Sequence, residues 1–236
     1  MKNLMKNNTV LITGTSKGIG KYLALYFLEK SYNVVGCSRG ESTLEHSNYH
    51  HASCDITIEK NVKMAVDSAL KKFGAIDILI NNAGIASLNH SILTPSTTVK
   101  KIFETNFNGT FYFSREVSKV MMRNQGGKIV NFTTVAVPLN LEGEMIYASS
   151  KAAIEKMTKI MSKELANCNI QINAIGPTPI QTDLIKAVPP KKIQELIDKQ
   201  SIKRLGTFED VLNVIKFFIH PDSYMITGQI IYLGGL

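Results

Sequence analysis

The chain has 236 residues, 44% of them hydrophobic, with 27 basic and 19 acidic side chains giving a formal charge of +8. The apolar content supplies a sizeable core and excludes wholesale disorder, and no apolar run approaches the roughly 20 residues of a membrane-spanning helix. The lysines are spread along the chain, with only short pairs such as Lys100-Lys101 and Lys191-Lys192, so a solvated basic surface is expected and no nucleic-acid stripe.

In chain order, the basic stretch "MKNLMKNNT" (1–9) is followed by only three apolar residues, too few for a signal peptide, and a soluble cytoplasmic protein is expected. "TVLIT" (9–13) reads as a buried strand, and "TGTSKGIG" (13–20) places Gly14, Gly18 and Gly20 between it and an apolar helix over 18–30. Glycines there permit a tight turn and let backbone N–H groups approach a pyrophosphate at the positive end of the helix. A second strand, "NVVGCS" (33–38), leads into Ser38 and Arg39, where a guanidinium would meet the 2′-phosphate of NADP, with Lys17 as a second charge. NADPH is therefore the expected cofactor, and Glu41 is the residue that would favour NADH. Next come a weak strand (49–55), a helix (58–73), a strand (77–81), a helix (97–124) and a strand (128–133). A helix (147–166), a strand (170–176), helices near 189–200 and 207–219, and a strand (229–233) complete the chain. This alternation predicts an α/β fold, one doubly wound domain over 1–236 with a parallel sheet covered on both faces. Cys37, Cys54 and Cys168 are odd in number and widely spaced, so reduced thiols are expected, and no metal site.

"YASSK" (147–151) sets a tyrosine one helical turn before a lysine on the same face. Alone, the pair fits a buried ring beside a solvated charge as well as it fits proton delivery. Taken with "TGTSKGIG", "CDI" (54–56), "NNAG" (81–84), "TNFNG" (105–109) and "GPTPIQT" (176–182), it resembles the short-chain dehydrogenase/reductases in order and spacing. The nearest branch is the 3-oxoacyl-[acyl-carrier-protein] reductase-like one, and the resemblance runs from residue 9 to the final "LGG". It implies a Rossmann-type subunit with a seven-stranded parallel sheet, acting on CH–OH or C=O groups with NAD(P)(H). Gly14, Ser16, Lys17, Gly18, Ile19, Gly20, Ser38 and Arg39 would hold the cofactor, with Asp55 on the adenine amino group and Ile56 beside the ring. Asn81, Ala83 and Gly84 would pass the adenosine ribose, and Pro177, Ile180 and Thr182 would flank the nicotinamide. The resemblance makes Tyr147 the acid that protonates the substrate oxygen. Lys151 would lower its pKa from about 10 and bond the nicotinamide ribose, and Asn106 would hold a water in the proton relay.

Several positions depart from the family pattern. The serine usually found thirteen residues before the tyrosine is Thr134, which keeps the hydroxyl that orients the carbonyl. The alternative is that Thr133 and Thr134 merely end a strand and activity is lost. Thr178 replaces a glycine after Pro177. Gln125 and Cys168 stand where relatives acting on acyl carrier protein tend to carry basic residues, with Arg123 and Lys128 nearby as compensation. An acyl thioester, a ketone, a keto sugar or an alcohol oxidised in reverse all fit, free or carrier-bound. Leu139, Leu141 and Met145 are expected in the pocket wall, with Glu142 and Glu144 near it. The loop over 182–205 carries Lys186, Lys191, Lys192 and Lys199, suited to an anionic substrate, or forms an amphipathic lid through Ile185, Val188, Ile193, Leu196 and Ile197. Surplus apolar residues on the helices at 97–124 and 147–166 imply a homotetramer. A non-catalytic dinucleotide-binding scaffold is the rival reading, and the presence of both Tyr147 and Lys151 speaks against it.

Overall fold

Runs of aliphatic and β-branched residues form seven strands in the computed structural model, which describes residues 8–183, 185 and 188–235. Residues 1–7 and Lys186 of the basic loop lie outside the described residues. The strands are β1 (Thr9–Thr13), β2 (Asn33–Ser38), β3 (Tyr49–Ser53), β4 (Ile78–Asn81), β5 (Gly127–Phe132), β6 (Ile170–Gly176) and β7 (Ile230–Tyr232). The helices are α1 (Gly18–Glu29), α2 (Glu59–Phe73), α3 (Ser96–Phe103), α4 (Gly109–Arg123), α5 (Ala136–Leu139), α6 (Met145–Glu164), α7 (Pro190–Lys199) and α8 (Phe208–Ile219). All strands pair parallel, in the order β3-β2-β1-β4-β5-β6-β7.

Parallel neighbours need long crossovers, and the helices supply them on both faces. Strand alternation sorts the core into two layers. Leu11, Val35, Leu79 and Ile129 pack towards α2 and α4, while Val10, Ile12, Val34, Ile80 and Val130 pack towards α1 and α8. The winding starts at β1, runs outward to β3, then restarts at β4 and runs to β7. The carboxyl ends of β1 and β4 therefore frame the crevice where doubly wound sheets take their ligands.

One predicted helix is not continuous. The segment expected as a single helix over 97–124 is α3 and α4 joined by a π-turn at Glu104–Asn108. The wider turn accommodates Asn106, whose carboxamide is held by the backbone of Ile85. Gly109 then opens α4 because a Cβ there would lie 2.8 Å from the Ile56 side chain. α5, a single turn after β5, has no counterpart among the predicted elements.

Candidate active site

The crevice is built from backbone. Gly14 (φ 77°) and Gly18 (φ 57°) take left-handed angles that side chains resist. Gly20 is required for space: a Cβ there would sit 2.2 Å from the Gly14 carbonyl oxygen and 2.6 Å from Asn82 Nδ2. Asn82, absent from the sequence-derived set, struts the turn by donating from Nδ2 to the carbonyls of Thr13 (2.8 Å) and Gly14 (3.3 Å). The Ala83 N–H donates to Thr13 Oγ1 at 3.0 Å, so β4 is laced to β1 at their carboxyl ends. Thr15, 3% exposed, has no hydrogen-bond partner for its Oγ1 among the described residues. A buried unpartnered hydroxyl beside closely packed glycines fits a cofactor that brings phosphate and ribose oxygens.

Ser16 and Lys17 are exposed at the tip of the turn, and Ile19 packs towards the α1–α8 core. Lys17 Nζ bonds Asp183 Oδ2 at 2.7 Å, and a Cβ on Gly18 would lie 3.7 Å from Thr182 Cγ2. The turn and the loop after β6 thus meet across the crevice. The Lys17–Asp183 pair is exposed, hence weak and exchangeable for a phosphate. After β2, Ser38 Oγ donates to the Gly40 carbonyl (3.2 Å), and Arg39 and Glu41 are exposed. Asp55 Oδ1 accepts from the Thr57 N–H (2.9 Å) and hydroxyl (2.8 Å), which with the Arg39 charge hold the carboxyl below its usual range.

Three of the expected cofactor residues have buried side chains. Asn81 donates from its carboxamide to Ser114 Oγ and Asn131 Oδ1, each at 2.9 Å. Ile56 is buried against Gly109, and Ile180, 6% exposed, packs in the α1–α8 layer while its backbone bridges Gly206. Pro177 accepts the Val135 N–H at 3.3 Å, which ties the loop after β6 to the end of β5.

The catalytic group converges from three elements. α6 carries Tyr147 and Lys151, both buried. Thr134, assigned to the serine position, acts on the Tyr147 phenol, whereas Thr133 donates to Glu155 Oε1 at 2.5 Å. Lys151 Nζ donates to the Phe132 carbonyl at 2.8 Å. A Cβ on Gly84 would lie 3.3 Å from that Nζ and 3.2 Å from Asn106 Oδ1, so the loop after β4 closes on both. Asn106 is fully buried and its side chain is committed. Oδ1 accepts the Ile85 N–H (2.9 Å), and Nδ2 donates to the Ile85 carbonyl (2.9 Å) and to Ser150 Oγ (3.0 Å). Its main-chain carbonyl accepts from the Thr110 hydroxyl at 2.6 Å.

Burial pushes Tyr147 up to about 12; the Thr134 bond opposes this and the Glu144 charge adds to it. Burial also pushes Lys151 down to about 8. The Lys151 ammonium is directed at the Phe132 carbonyl.

One turn before Tyr147, a cavity of about 250 Å³ is lined by residues that include Leu88, Leu141, Glu144, Ile185, Ile193 and Leu196. The apolar side of α7 faces it, in keeping with an amphipathic lid, while Lys192 and Lys199 also contribute to its wall. Leu139 and Met145 do not line it, and Met145 is 44% exposed. Neither this cavity nor a more open concavity of about 380 Å³ at the end of α8, near Phe217 and His220, is lined by Asn106, Thr134, Tyr147 or Lys151. Among the described residues there is no cluster suited to a metal ion, and no helix is long and apolar enough to cross a membrane.

The family model for short chain dehydrogenase matches residues 8–193. A 3-oxoacyl-[acyl-carrier-protein] reductase of Staphylococcus epidermidis is 29% identical over 240 residues, spanning 97% of this chain and 98% of that protein. The solved structure of ElxO with NADP bound matches with a TM-score of 0.87 and 31% identity over 96% of each chain. The NAD+-bound xylitol dehydrogenase matches with a TM-score of 0.90 and 26% identity, over 99% of this chain and 100% of that one. Its neighbours thus include proteins that bind either dinucleotide. With its glycine turn between β1 and α1 and its Tyr147–Lys151 pair on α6, the chain belongs to the short-chain dehydrogenases and is an NAD(P)-dependent oxidoreductase similar to the 3-oxoacyl-[acyl-carrier-protein] reductases.

Proposed function

We propose that the chain, acting as one NAD(P)-binding unit, reduces a small free carbonyl compound to an alcohol with NADPH. The observation that carries this reading is that Tyr147 and Lys151 are both buried one turn apart on α6, with Thr134 acting on the phenol. When bound, the nicotinamide supplies the hydride. Tyr147 gives its phenolic proton to the substrate oxygen, and Thr134 Oγ1 orients that oxygen and donates to it as negative charge develops. Lys151, still mostly an ammonium at pH 7 with a pKa of about 8, favours the phenolate left behind and bonds the nicotinamide ribose. Asn106 holds the water that returns the proton.

Gly14, Ser16, Gly18, Ile19 and Gly20 present backbone to the pyrophosphate, and Asp55 takes the adenine amino group. Asn81, Ala83 and Gly84 line the adenosine ribose, and Pro177, Ile180 and Thr182 line the nicotinamide. Arg39 and Lys17 favour NADPH over NADH because both are exposed cations at the mouth of the crevice. A free substrate is favoured over a carrier-bound one because Gln125 and Cys168 carry no charge where an acidic carrier would be met, and one donor of the neighbouring Lys128 is taken by the His220 carbonyl at 2.9 Å. The protein works as a cytoplasmic homotetramer.

The test is NADPH oxidation followed optically, with acetoacetyl thioester, simple ketones and keto sugars, and NADH in parallel. Turnover of free carbonyls with NADPH is expected. Turnover of the thioester alone would return the enzyme to acyl-chain chemistry, and no turnover with any carbonyl would refute the reductase reading.

A further inference from the structure

We infer that Glu144 is a specificity-determining acceptor that selects substrates with a hydroxyl on the carbon next to the reacting carbonyl. The substrate class is then α-hydroxy ketones and, in the oxidative direction, vicinal diols. This rests on the catalytic reading above and names the substrate of the same site.

Glu144 occupies the N-cap position of α6, where its main-chain carbonyl accepts the Ala148 N–H at 2.7 Å. Its side chain makes no capping bond, and no hydrogen bond or ion pair to it occurs among the described residues. The carboxyl therefore does no structural work that the fold displays. Yet it is half-buried in the wall of the cavity, whereas the other charged lining residues (Glu142, Lys192, Glu195 and Lys199) are exposed. A half-buried carboxyl with no partner is costly unless something supplies a donor.

Position and surroundings define that donor. Glu144 and Tyr147 are three residues apart and share a helix face, and the charge of Glu144 acts on the Tyr147 phenol. In this proposal a substrate oxygen held by Tyr147 presents its adjacent carbon to the cavity wall that holds Glu144. The apolar part of the wall (Leu88, Leu141, Pro179, Ile185, Ile193 and Leu196) offers no hydrogen bond from a side chain, and Asn140, which also lines the cavity, is exposed and donates to the Pro138 carbonyl at 3.3 Å. A cationic amine is disfavoured because the Lys192 charge acts on the same carboxyl. A plain acyl thioester has no hydroxyl on the neighbouring carbon and would leave the carboxyl unpaired. At about 250 Å³ the cavity is smaller than the roughly 300–1,000 Å³ typical of sites for drug-sized ligands, which suits a molecule of a few carbons.

A site built to bond a hydroxyl rejects the analogue lacking it, by up to roughly 10⁴-fold when fully buried, and a half-buried acceptor gives less. The experiment compares kcat/KM for 1-hydroxy-2-butanone and 2-butanone with NADPH, in the wild type, Glu144→Ala and Glu144→Gln. The wild type is expected to prefer the hydroxy ketone by at least about tenfold. Glu144→Ala should bring the ratio to within about twofold, and Glu144→Gln, which keeps an acceptor oxygen, should retain most of it. A wild-type ratio near one, or a ratio that Glu144→Ala leaves unchanged, overturns the inference. Calorimetric binding of 1,2-butanediol and 2-butanol to the protein with NADP+ reads the same preference without turnover. Absence of all turnover would sink the reductase reading, while the diol preference and its dependence on Glu144 would stand or fall by calorimetry.

Discussion

The methyl group that distinguishes threonine from serine shares a carbon with the hydroxyl, so Thr134 keeps a hydroxyl that acts on Tyr147 and loses only torsional freedom. Thr134→Ser is therefore expected to hold kcat/KM within a few-fold, while Thr134→Ala, which removes a donor aimed at developing charge, should cost roughly 10²–10³ in kcat. Loss of activity in the serine variant with retention in the alanine variant would overturn the assignment. Lys151 gives a prediction that needs no substrate. Its folded pKa of about 8 lies below the ordinary 10.5, so between those values the unfolded chain binds a proton that the folded one does not. Stability contributed at this site is then lowest below pH 8 and rises with pH towards 10.5. Relative to Lys151→Met, the wild type should gain about 2 kcal/mol of unfolding free energy between about pH 7 and pH 9.5. Urea titrations of both proteins at the two pH values would show it, and a constant difference would mean the lysine is not buried as a charge. Tyr147 does not confuse the window, because its rise to about 12 removes stability only where an unfolded tyrosine ionises, above about pH 10.

At the scale of elements, the glycine turn and its strut form one unit. Gly20 has an ordinary backbone conformation, and what excludes a side chain there is the Gly14 carbonyl 2.2 Å from the position of a Cβ. Gly20→Ala must displace backbone, and overpacking of this kind costs roughly 1–3 kcal/mol. Asn82→Ala would leave the Thr13 and Gly14 carbonyls without their side-chain donor, for roughly 1–3 kcal/mol. Both variants should weaken NADPH binding, measured by fluorescence titration, far more than they change helix content, and unaltered binding would mean the turn does not hold the pyrophosphate. The strands were legible in the sequence because their buried faces are apolar, and the Tyr147–Lys151 pair was legible because spacing fixes a helix face. Asn82 was not legible: the second asparagine of "NNAG" looks like its neighbour, and only the packing of β1 beside β4 shows which carboxamide reaches the turn. The π-turn escaped because apolar residues such as Ile102, Phe113 and Val117 recur on both sides of it, so a widened turn leaves no gap in the pattern. The direction of the Tyr147 and Lys151 shifts was also hidden, since burial depends on the elements that cover α6 and not on its own residues.

Across the whole molecule, helices that cover the sheet leave large apolar side chains at their outer surfaces. Met122 on α4 and Ile160 on α6 are each 49% exposed. Phe111 and Tyr112 are half-buried, with the Arg115 guanidinium lying over both rings at 5.2 and 5.8 Å. Apolar exposure of this kind on paired helices marks a surface that another copy can cover. Light scattering at micromolar concentration should give a mass near four times the 26.1 kDa of the chain, and a monomer would refute the tetramer. Met122→Asp combined with Ile160→Asp places two charges on that surface and should lower the mass while far-ultraviolet circular dichroism stays the same. The consequence reaches the catalytic group, because α6 carries Ile160 on its outer side and Tyr147 and Lys151 within. If association holds α6 in place, specific activity of the wild type should fall on dilution together with the scattering mass, and the double variant should show the low value at every concentration. A falling mass with constant activity would mean that α6 is held by its own sheet alone and that assembly serves something other than catalysis.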